Sequence, residues 1–392
     1  MEAKKVLILA HKPPYPKADG GCIAIAQMLE AFLDIGVSVH FICFETQKHP
    51  SKNVKEHPNL TYKSILIDTK LSIWAALKNL WLQTTSYFTS RFNHPDFKRE
   101  VTQTLNNNSF DLIVFESLFT KHYLKTVRKR TAAKLVYRSH NIEHKIWETQ
   151  IEKEDTALRS AYLKLQVKRL KKEELKFWNE VDAIASISEK DSKKISEYNA
   201  EKTKTIGLHL NEKHLLQKDS SARIDFFHIG AMNWKPNQFG IAWLLDEVWD
   251  EFVASNSAAE LHLAGKSMTE SFTKRLGFGV YNHTEVLDAT DFMNSHKVML
   301  IPLFSGSGIR VKIIEGLALG KCIITTSIGA DGISVKHREN ILIADTTKEF
   351  AEQMKFCMDQ PKRVAEIGES ARRFAKANFS KSAVNEELKA LF

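Results

Sequence analysis

The stretch that decides the fold runs Val298-Met299-Leu300-Ile301-Pro302-Leu303-Phe304-Ser305-Gly306-Ser307-Gly308-Ile309-Arg310-Val311-Lys312-Ile313-Ile314-Glu315-Gly316-Leu317-Ala318-Leu319-Gly320. The apolar run Val298–Ile301 reads as a buried strand. Pro302 and a Gly-Ser-Gly turn end it, and a helical pattern follows, with Ile309, Ile313, Ile314 and Leu317 on one face. A glycine turn that opens a helix presents free backbone N–H groups at the positive end of the helix dipole, and so makes an anion site. Arg310 and Lys312 stand in the first turn, where the dipole does not favour cations; an anionic ligand accounts for them. Glu315, three residues past Lys312, is spaced to reach ligand hydroxyls. The plainer alternative is a strand, a turn and a helix carrying a Lys312–Glu315 surface pair.

Outward from that stretch, short β-like runs alternate with helical stretches along the chain, the signature of parallel α/β architecture. Strands are predicted at Val6–Ala10, Val37–Phe44, Leu60–Ile67, Leu112–Phe115, Leu135–Arg138 and Ala183–Ser186. A second set is predicted at Ile224–Ile229, Glu260–Ala264, Val298–Ile301, Cys322–Thr325 and Ile341–Ile343. Between the sets, from about Asn199 to Arg223, lies a polar, lysine-containing stretch that reads as a hinge. Helices are predicted over Ile142–Asn179, Thr346–Met358, Pro361–Ala375 and Lys381–Leu391. The expectation is two open, doubly wound α/β domains, with ligands at strand carboxyl ends in the crevice between them.

The whole chain sets bounds. Its 392 residues are 43% hydrophobic and 26% charged, as in folded domains of ordinary size. A net charge of +9 favours anionic partners: nucleotides, nucleic acid or an anionic membrane surface. The charges are scattered and mixed in sign, without the basic stripe and interleaved aromatics of a nucleic-acid binder. No GxGxxG follows the first strand, which disfavours a dinucleotide dehydrogenase. The four cysteines, Cys22, Cys43, Cys322 and Cys357, lie far apart in apolar settings and read as reduced core residues. No Asp-x-Asp sits at a strand end and no His/Cys cluster has ligand spacing, so neither a metal nor a cofactor is expected. The run Lys4–Ala10 is too short for a signal peptide and no run is long enough to span a bilayer, so a cytoplasmic location is expected.

The central stretch resembles something specific. Pro302-Leu303, Gly306-Ser307-Gly308, Arg310-x-Lys312, Glu315-Gly316-Leu317-Ala318-x-Gly320, Ile323-Ile324-Thr325-Thr326 and Gly329-Ala330-Asp331-Gly332 look like the nucleotide-sugar signature of retaining glycosyltransferases. The resemblance is to glycosyltransferase family 4, in its Gly-Ser-Gly form. It implies the GT-B fold, two facing Rossmann-like doubly wound parallel-sheet domains with an interdomain cleft. On that pattern residues 1–205 form the acceptor-side domain, joined by a C-terminal helix over 378–392, and residues 206–377 bind the donor. Carried over, Arg310 and Lys312 clamp the donor diphosphate and Glu315 binds the ribose. Ser307, Gly308 and Ile309 belong to the donor loop. Many members carry an additional Glu, contacting the donor sugar, where this chain has Ser307.

Four further strand-to-turn segments fit the same resemblance. Asp19-Gly20-Gly21 opens a helix after the first strand; it is an ordinary turn by itself, but the family carries a Gly-Gly loop there that approaches the donor phosphate. In Tyr137-Arg138-Ser139-His140-Asn141-Ile142-Glu143-His144 the family places a histidine facing the donor sugar, a role that falls to His140. A helix N-terminus beside it favours the neutral ring; the alternative is a capping histidine. Glu116, after Asp111–Phe115, is a second carboxylate facing the crevice, for which a solvated loop acid is the plainer reading than a catalytic role. In Phe227-His228-Ile229-Gly230-Ala231-Met232-Asn233-Trp234-Lys235-Pro236-Asn237, Gly230 would let the backbone approach the diphosphate, with Asn233 and Lys235 beside it. Gly265-Lys266 ends another strand and offers Lys266 as a second diphosphate contact.

The functional expectation is a retaining hexosyltransferase that moves a sugar from a UDP- or GDP-sugar to a glycan or lipid-linked acceptor, in bacterial surface polysaccharide assembly. Front-face attack without a protein nucleophile or a metal is the expected route. A GT-B sugar-nucleotide epimerase and a basic nucleic-acid-binding protein are the competing readings. Contact with the anionic inner membrane, on its cytoplasmic face, has two candidate surfaces. One is Ile142–Asn179, with Lys168, Arg169, Lys171, Lys172 and Lys176; the other is Leu71–Phe88, with Trp74, Leu77, Trp81 and Tyr87. A solvated charged face and simple core packing are their respective alternatives.

Overall fold

The computed structural model describes residues 4–70, 72–151, 156–210, 223–268, 270–305 and 310–392. It divides into two compact units: Met1–Leu208 with Val384–Phe392, and His209–Ala383.

In the first unit β1 (Lys5–Ala10), β2 (Ser38–Glu45), β3 (Leu60–Leu66), β4 (Leu112–Glu116), β5 (Lys134–Ser139), β6 (Ala183–Ser186) and β7 (Thr203–Thr205) form a parallel sheet. Among the described residues its order is β3-β2-β1-β4-β5-β6-β7. A parallel sheet is covered on both faces, so its central strands are apolar on both sides, as in β1, where Val6 to Ala10 are all buried. Val6 and Ile8 face the helix Gly20–Asp34 through Ile25, Met28, Leu29 and Phe32. Val384, Leu388 and Leu391 join that same cluster. Leu7 and Leu9 point the other way, into a core with Phe97, Val101, Phe115 and Phe177.

The second unit repeats the plan with β8 (Phe226–Ile229), β9 (Leu261–Ala264), β10 (Val280–Thr284), β11 (Val298–Ile301), β12 (Cys322–Thr325) and β13 (Leu342–Ile343). Its described strands are parallel, in the order β10-β9-β8-β11-β12-β13. Phe226, Leu300 and Ile324 face one cluster, while Phe227, Met299 and Ile323 face the other, the period of two expected of strands.

In both sheets the order reverses once, between β1 and β4 and between β8 and β11. Open α/β sheets bind ligands beyond the strand carboxyl ends at such a switch point. All four cysteines are buried and free of disulfides. Among the described residues no helix is long and apolar enough to cross a membrane.

Three local expectations differ from the structure. The stretch read as a hinge holds the short strand β7, while residues 211–222 lie outside the described residues. The single helix expected over Ile142–Asn179 is two, Glu143–Ile151 and Ala157–Glu180. Strand β10 was not expected at all. Both β7 and β10 are edge strands of polar sequence, Thr-Lys-Thr and Val-Tyr-Asn-His-Thr, and edges tolerate polarity that a central strand does not.

Candidate functional site

At the switch point of the first sheet, polar side chains from three strand ends hold one another. Strand β4 extends one residue beyond its apolar run, so Glu116 is its last residue and is wholly buried, not the solvated loop acid the sequence suggested. His140, just after β5, donates from Nε2 to Glu116 Oε2 at 2.5 Å. His11, just after β1, has its Nδ1 3.2 Å from the Glu116 carbonyl oxygen, and its ring lies edge-on to His140 at 5.9 Å. Burial, with Lys12 and His140 nearby, holds His11 well below the usual histidine range. Because a carboxylate only accepts hydrogen bonds, Glu116 fixes the tautomer of His140 and leaves Nδ1 as its second polar atom.

The helix that follows does not set the surroundings of His140 in the manner expected. The N–H groups of Glu143 and His144 donate to the buried carboxylate of Glu174, at 2.9 and 3.0 Å, and His144 Nδ1 lies 2.7 Å from it. The helix N-terminus is therefore spent on an internal anion. Glu143 is pushed up to about 8 by desolvation and by the charge of Glu174.

Gly20 and Gly21 begin the helix Gly20–Asp34, with Asp19 as its cap, accepting from the Cys22 N–H at 2.9 Å. Lys12 Nζ reaches Asp19 Oδ1 at 2.7 Å, and His49 Nε2 lies 2.9 Å from Oδ2. Burial alone would raise the Asp19 carboxyl, but Lys12, the Cys22 amide and His49 together hold it below the usual range. A side chain added at Gly20 would meet open space, whereas at Gly21 it would meet the Lys12 ammonium.

The strand ends of the second unit are built by backbone. A Cβ at Gly265, after β9, would fall 1.8 Å from the carbonyl oxygen of Gly230, after β8, so only glycine permits this approach. Gly230 N–H donates to Ala264 O at 3.0 Å and Met232 N–H to Lys266 O at 2.8 Å. Gly240 likewise lies where a Cβ would strike the Pro302 carbonyl, which seats the helix Lys235–Trp243 against the turn after β11. Asn237 is buried and holds this corner by donating to Ala231 O at 3.0 Å.

Arg310 is the cap of the helix Val311–Ala318, and Lys312 lies in its first turn. Ile309, expected to start this helix, lies outside the described residues, as do Ser307 and Gly308. Arg310 is buried, which lowers its guanidinium pKa while Asp331 acts against that change. Lys312 Nζ lies 3.6 Å from Glu315 Oε2, so the pair foreseen as the plain alternative exists, half-exposed. Asn233 and Lys235 are exposed, and Lys266 is exposed and paired with Glu285 at 3.0 Å. The structure thus gathers Gly230 and Gly265, and leaves Asn233, Lys235 and Lys266 as exposed side chains.

One residue of this corner was missed. His228, inside β8, donates from Nδ1 to Leu300 O at 2.8 Å, while its buried Nε2 has no hydrogen-bond partner among the described residues. That atom would sit 2.9 Å from a Cβ at Gly230, so it points toward the glycine turn. Burial, and next the positive charge of Lys312, bring its pKa down to about 4, partly opposed by its bond to Leu300. A histidine directly before Ile-Gly in an otherwise apolar strand was the available signal.

Metal-ligand spacing was absent from the sequence, yet the fold gathers two groups with ligand atoms within 4.8 Å of one another: His262, His283 and His296, and Asp19, Cys22 and His49. The second group already holds the Lys12 ammonium, which opposes a cation there.

Residues 223–360 match the model of the family described as Glycosyl transferases group 1. Over 97% of both chains, the sequence is 21% identical to an uncharacterised 44.6 kDa protein in the cps region of Klebsiella pneumoniae. Sucrose-phosphate synthase from Thermosynechococcus elongatus superposes with a TM-score of 0.71 at 15% identity, covering 99% of this chain and 98% of that one. HepE of Anabaena, solved in complex with UDP, gives a TM-score of 0.66 at 14% identity over 98% of each chain. With a group 1 glycosyltransferase domain in its second unit and two parallel α/β units of the GT-B fold, the chain is a glycosyltransferase of the GT-B type.

Proposed function

We propose that the chain is a retaining hexosyltransferase of family 4, in its Gly-Ser-Gly form, using a UDP- or GDP-sugar. The observation that carries this reading is Arg310 and Lys312 at the opening of the helix after β11, at the switch point, beside strand ends brought together by Gly230 and Gly265. In this reading the two cations and the helix N-terminus neutralise the diphosphate leaving group, which needs positive charge as the glycosidic bond breaks. Glu315 takes the ribose hydroxyls, and Ser307, Gly308 and Ile309, outside the described residues, are assigned to donor binding. His140, oriented by Glu116, serves the donor sugar, and Gly20, Gly21 and Asn233 complete the donor contacts. No metal has a step in this scheme.

The acceptor is a glycan or lipid-linked sugar of a bacterial surface polysaccharide. The likeness to a protein of a cps region supports that setting. Peripheral contact with an anionic membrane falls to the helix Ile73–Leu82, which is built inside out. Its Asn79 is buried and bonded to Gln83, Thr85 and Gln166, while Trp74 and Trp81 are 84% and 83% exposed. Arg169 donates to the Asn79 and Leu80 carbonyls and also lines a cavity of about 430 Å³ with Lys121, Lys125, Lys172 and Lys176, of which Lys121 pairs with Glu173 and Lys176 with Glu180. Exposed aromatics beside clustered cations suit an anionic lipid surface.

The first test is a thermal-shift panel with UDP, GDP, ADP, CMP, NAD and a short duplex DNA. One nucleoside diphosphate is expected to stabilise the protein, by about 2.7 kcal/mol at one hundred times its dissociation constant, and Lys312→Ala to abolish the shift. A response to DNA or NAD alone would overturn the reading. Incubation with the donor sugar that yields only an interconverted nucleotide sugar would point to an epimerase.

A further inference from the structure

Three histidines from three elements of the second unit meet on one side of its sheet edge. His262 lies in β9, His283 in the edge strand β10, and His296 just after the helix Ala289–Asn294. The register of β10 on β9 passes from Asn282↔Leu263 to Thr284↔Ala264, so His283 is the extra residue of a bulge, a device that often marks a site. His262 Nδ1 and His283 Nε2 face each other at 3.0 Å. The ring of His296 stacks on that of His262 at 4.2 Å.

The opposite ring nitrogens of His296 and His262 face carboxylates. His296 Nδ1 donates to Asp225 Oδ2 at 2.5 Å, which leaves its Nε2 with a lone pair. His262 Nε2 lies 3.9 Å from Asp225 Oδ2 and 3.7 Å from Glu260 Oε2. Asp225 is itself fixed by the Lys297 N–H at 2.7 Å. Carboxylates behind imidazoles set the tautomer and raise the basicity of the ligating nitrogen. The 3.0 Å approach of two nitrogens is close to the edge of a zinc tetrahedron, about 3.3 Å for Zn–N bonds of 2.0–2.1 Å. His283 lies on an exposed strand, so the group is open to solvent on one side.

We propose that His262, His283 and His296 form a binding site for a divalent transition metal, with zinc as its natural occupant. Imidazoles suit zinc and exclude magnesium and calcium, which demand oxygen ligands. The ion clips the edge strand β10 to β9 and to the end of the helix Ala289–Asn294, and its fourth position is taken by water. The adjoining residue Thr284 accepts from the Gly265 N–H at 2.7 Å, so the clip also steadies the loop that starts at Gly265. This site stands apart from the transfer scheme and does not depend on it.

The test uses the full chain without a histidine tag, stripped with a chelator and then dialysed against zinc. The expected result is one zinc per chain by elemental analysis, tetrahedral d–d absorption after cobalt substitution, and a rise in melting temperature with zinc but not magnesium. His283→Ala, on an exposed strand, is expected to keep its metal-free melting temperature and lose zinc affinity at least tenfold in a chelator competition. His262→Ala should lose it as well, and His283→Ala should keep the nucleoside diphosphate shift of the parent. Failure of the parent to take up zinc, or full uptake by both variants, would overturn the site.

Discussion

The two switch points solve the same problem in opposite ways. In the first unit, side chains fill the strand ends and hold one another: Glu116 holds His140, and Lys12 and His49 hold Asp19. In the second, the strand ends are narrowed by glycine and backbone contacts, Arg310 is buried at the helix cap, and Lys312 stands half-exposed beside Glu315. The first corner therefore stores its chemistry in buried, mutually dependent groups. The second stores it in shape, and its half-exposed charge at Lys312 can be changed with little consequence for folding.

Substitution at the two glycine sites gives the largest contrast. Gly265→Val drives a side chain into the Gly230 carbonyl and is expected to cost about 5 kcal/mol, leaving little folded protein. Gly20→Ala meets open space and is expected to stay within about 0.5 kcal/mol of the parent in urea denaturation. Equal melts for the two would break the comparison.

Acidification comes next. His228 titrates at about 4 when folded, below its unfolded value of about 6.5, so the unfolded chain binds the extra proton first. Its contribution is complete above pH 6.5 and declines as the pH falls toward 4, by about 3 kcal/mol in all. Urea midpoints at pH 7.5, 5.5 and 4.5 should fall more steeply for the parent than for His228→Asn. Parallel slopes would mean that His228 is not the acid-sensitive group.

The smaller effects separate the corners directly. His140→Ala strands the buried Glu116 carboxylate and is expected to cost about 2 kcal/mol of stability. Lys312→Ala should change stability by less than about 0.5 kcal/mol yet lower turnover at least tenfold, about 1.4 kcal/mol of transition-state stabilisation. A normal melt with normal turnover would remove Lys312 from the diphosphate clamp. Last, serine at both Trp74 and Trp81 should leave the melt unchanged and weaken co-sedimentation with anionic vesicles. Undiminished binding would free that helix from the membrane role.

Where apolar runs are long, the sequence was legible: β1, β4, β11 and β12 stand within a residue of their expected bounds. Those central strands are covered on both faces, which forces a continuous apolar signal. The edge strands β7 and β10 carry no such demand and were invisible. Glu116 was misread because one more residue of β4 carries it indoors, and its partner His140 lies 24 positions away. The aromatic residues of Leu71–Phe88 suit a surface or a core equally in the sequence; the buried Asn79 and exposed Trp74 and Trp81 show which side faces out. Gly265 stands out in the sequence by its place at a strand end, yet its collision with Gly230 is a property of two strands together. The histidine trio needed three elements to come together before it existed.

Residues 384–392 close the core of the first unit against Val6, Ile8 and Phe32. That circumstance governs how the protein is made. A ribosome that has released residues 1–208 has still to synthesise the entire second unit before the missing piece emerges. At about 5–20 residues per second this leaves an interval of roughly ten to forty seconds. Throughout it, the apolar patch destined for Val384, Leu388 and Leu391 is uncovered, and the nascent first unit is an object for chaperones.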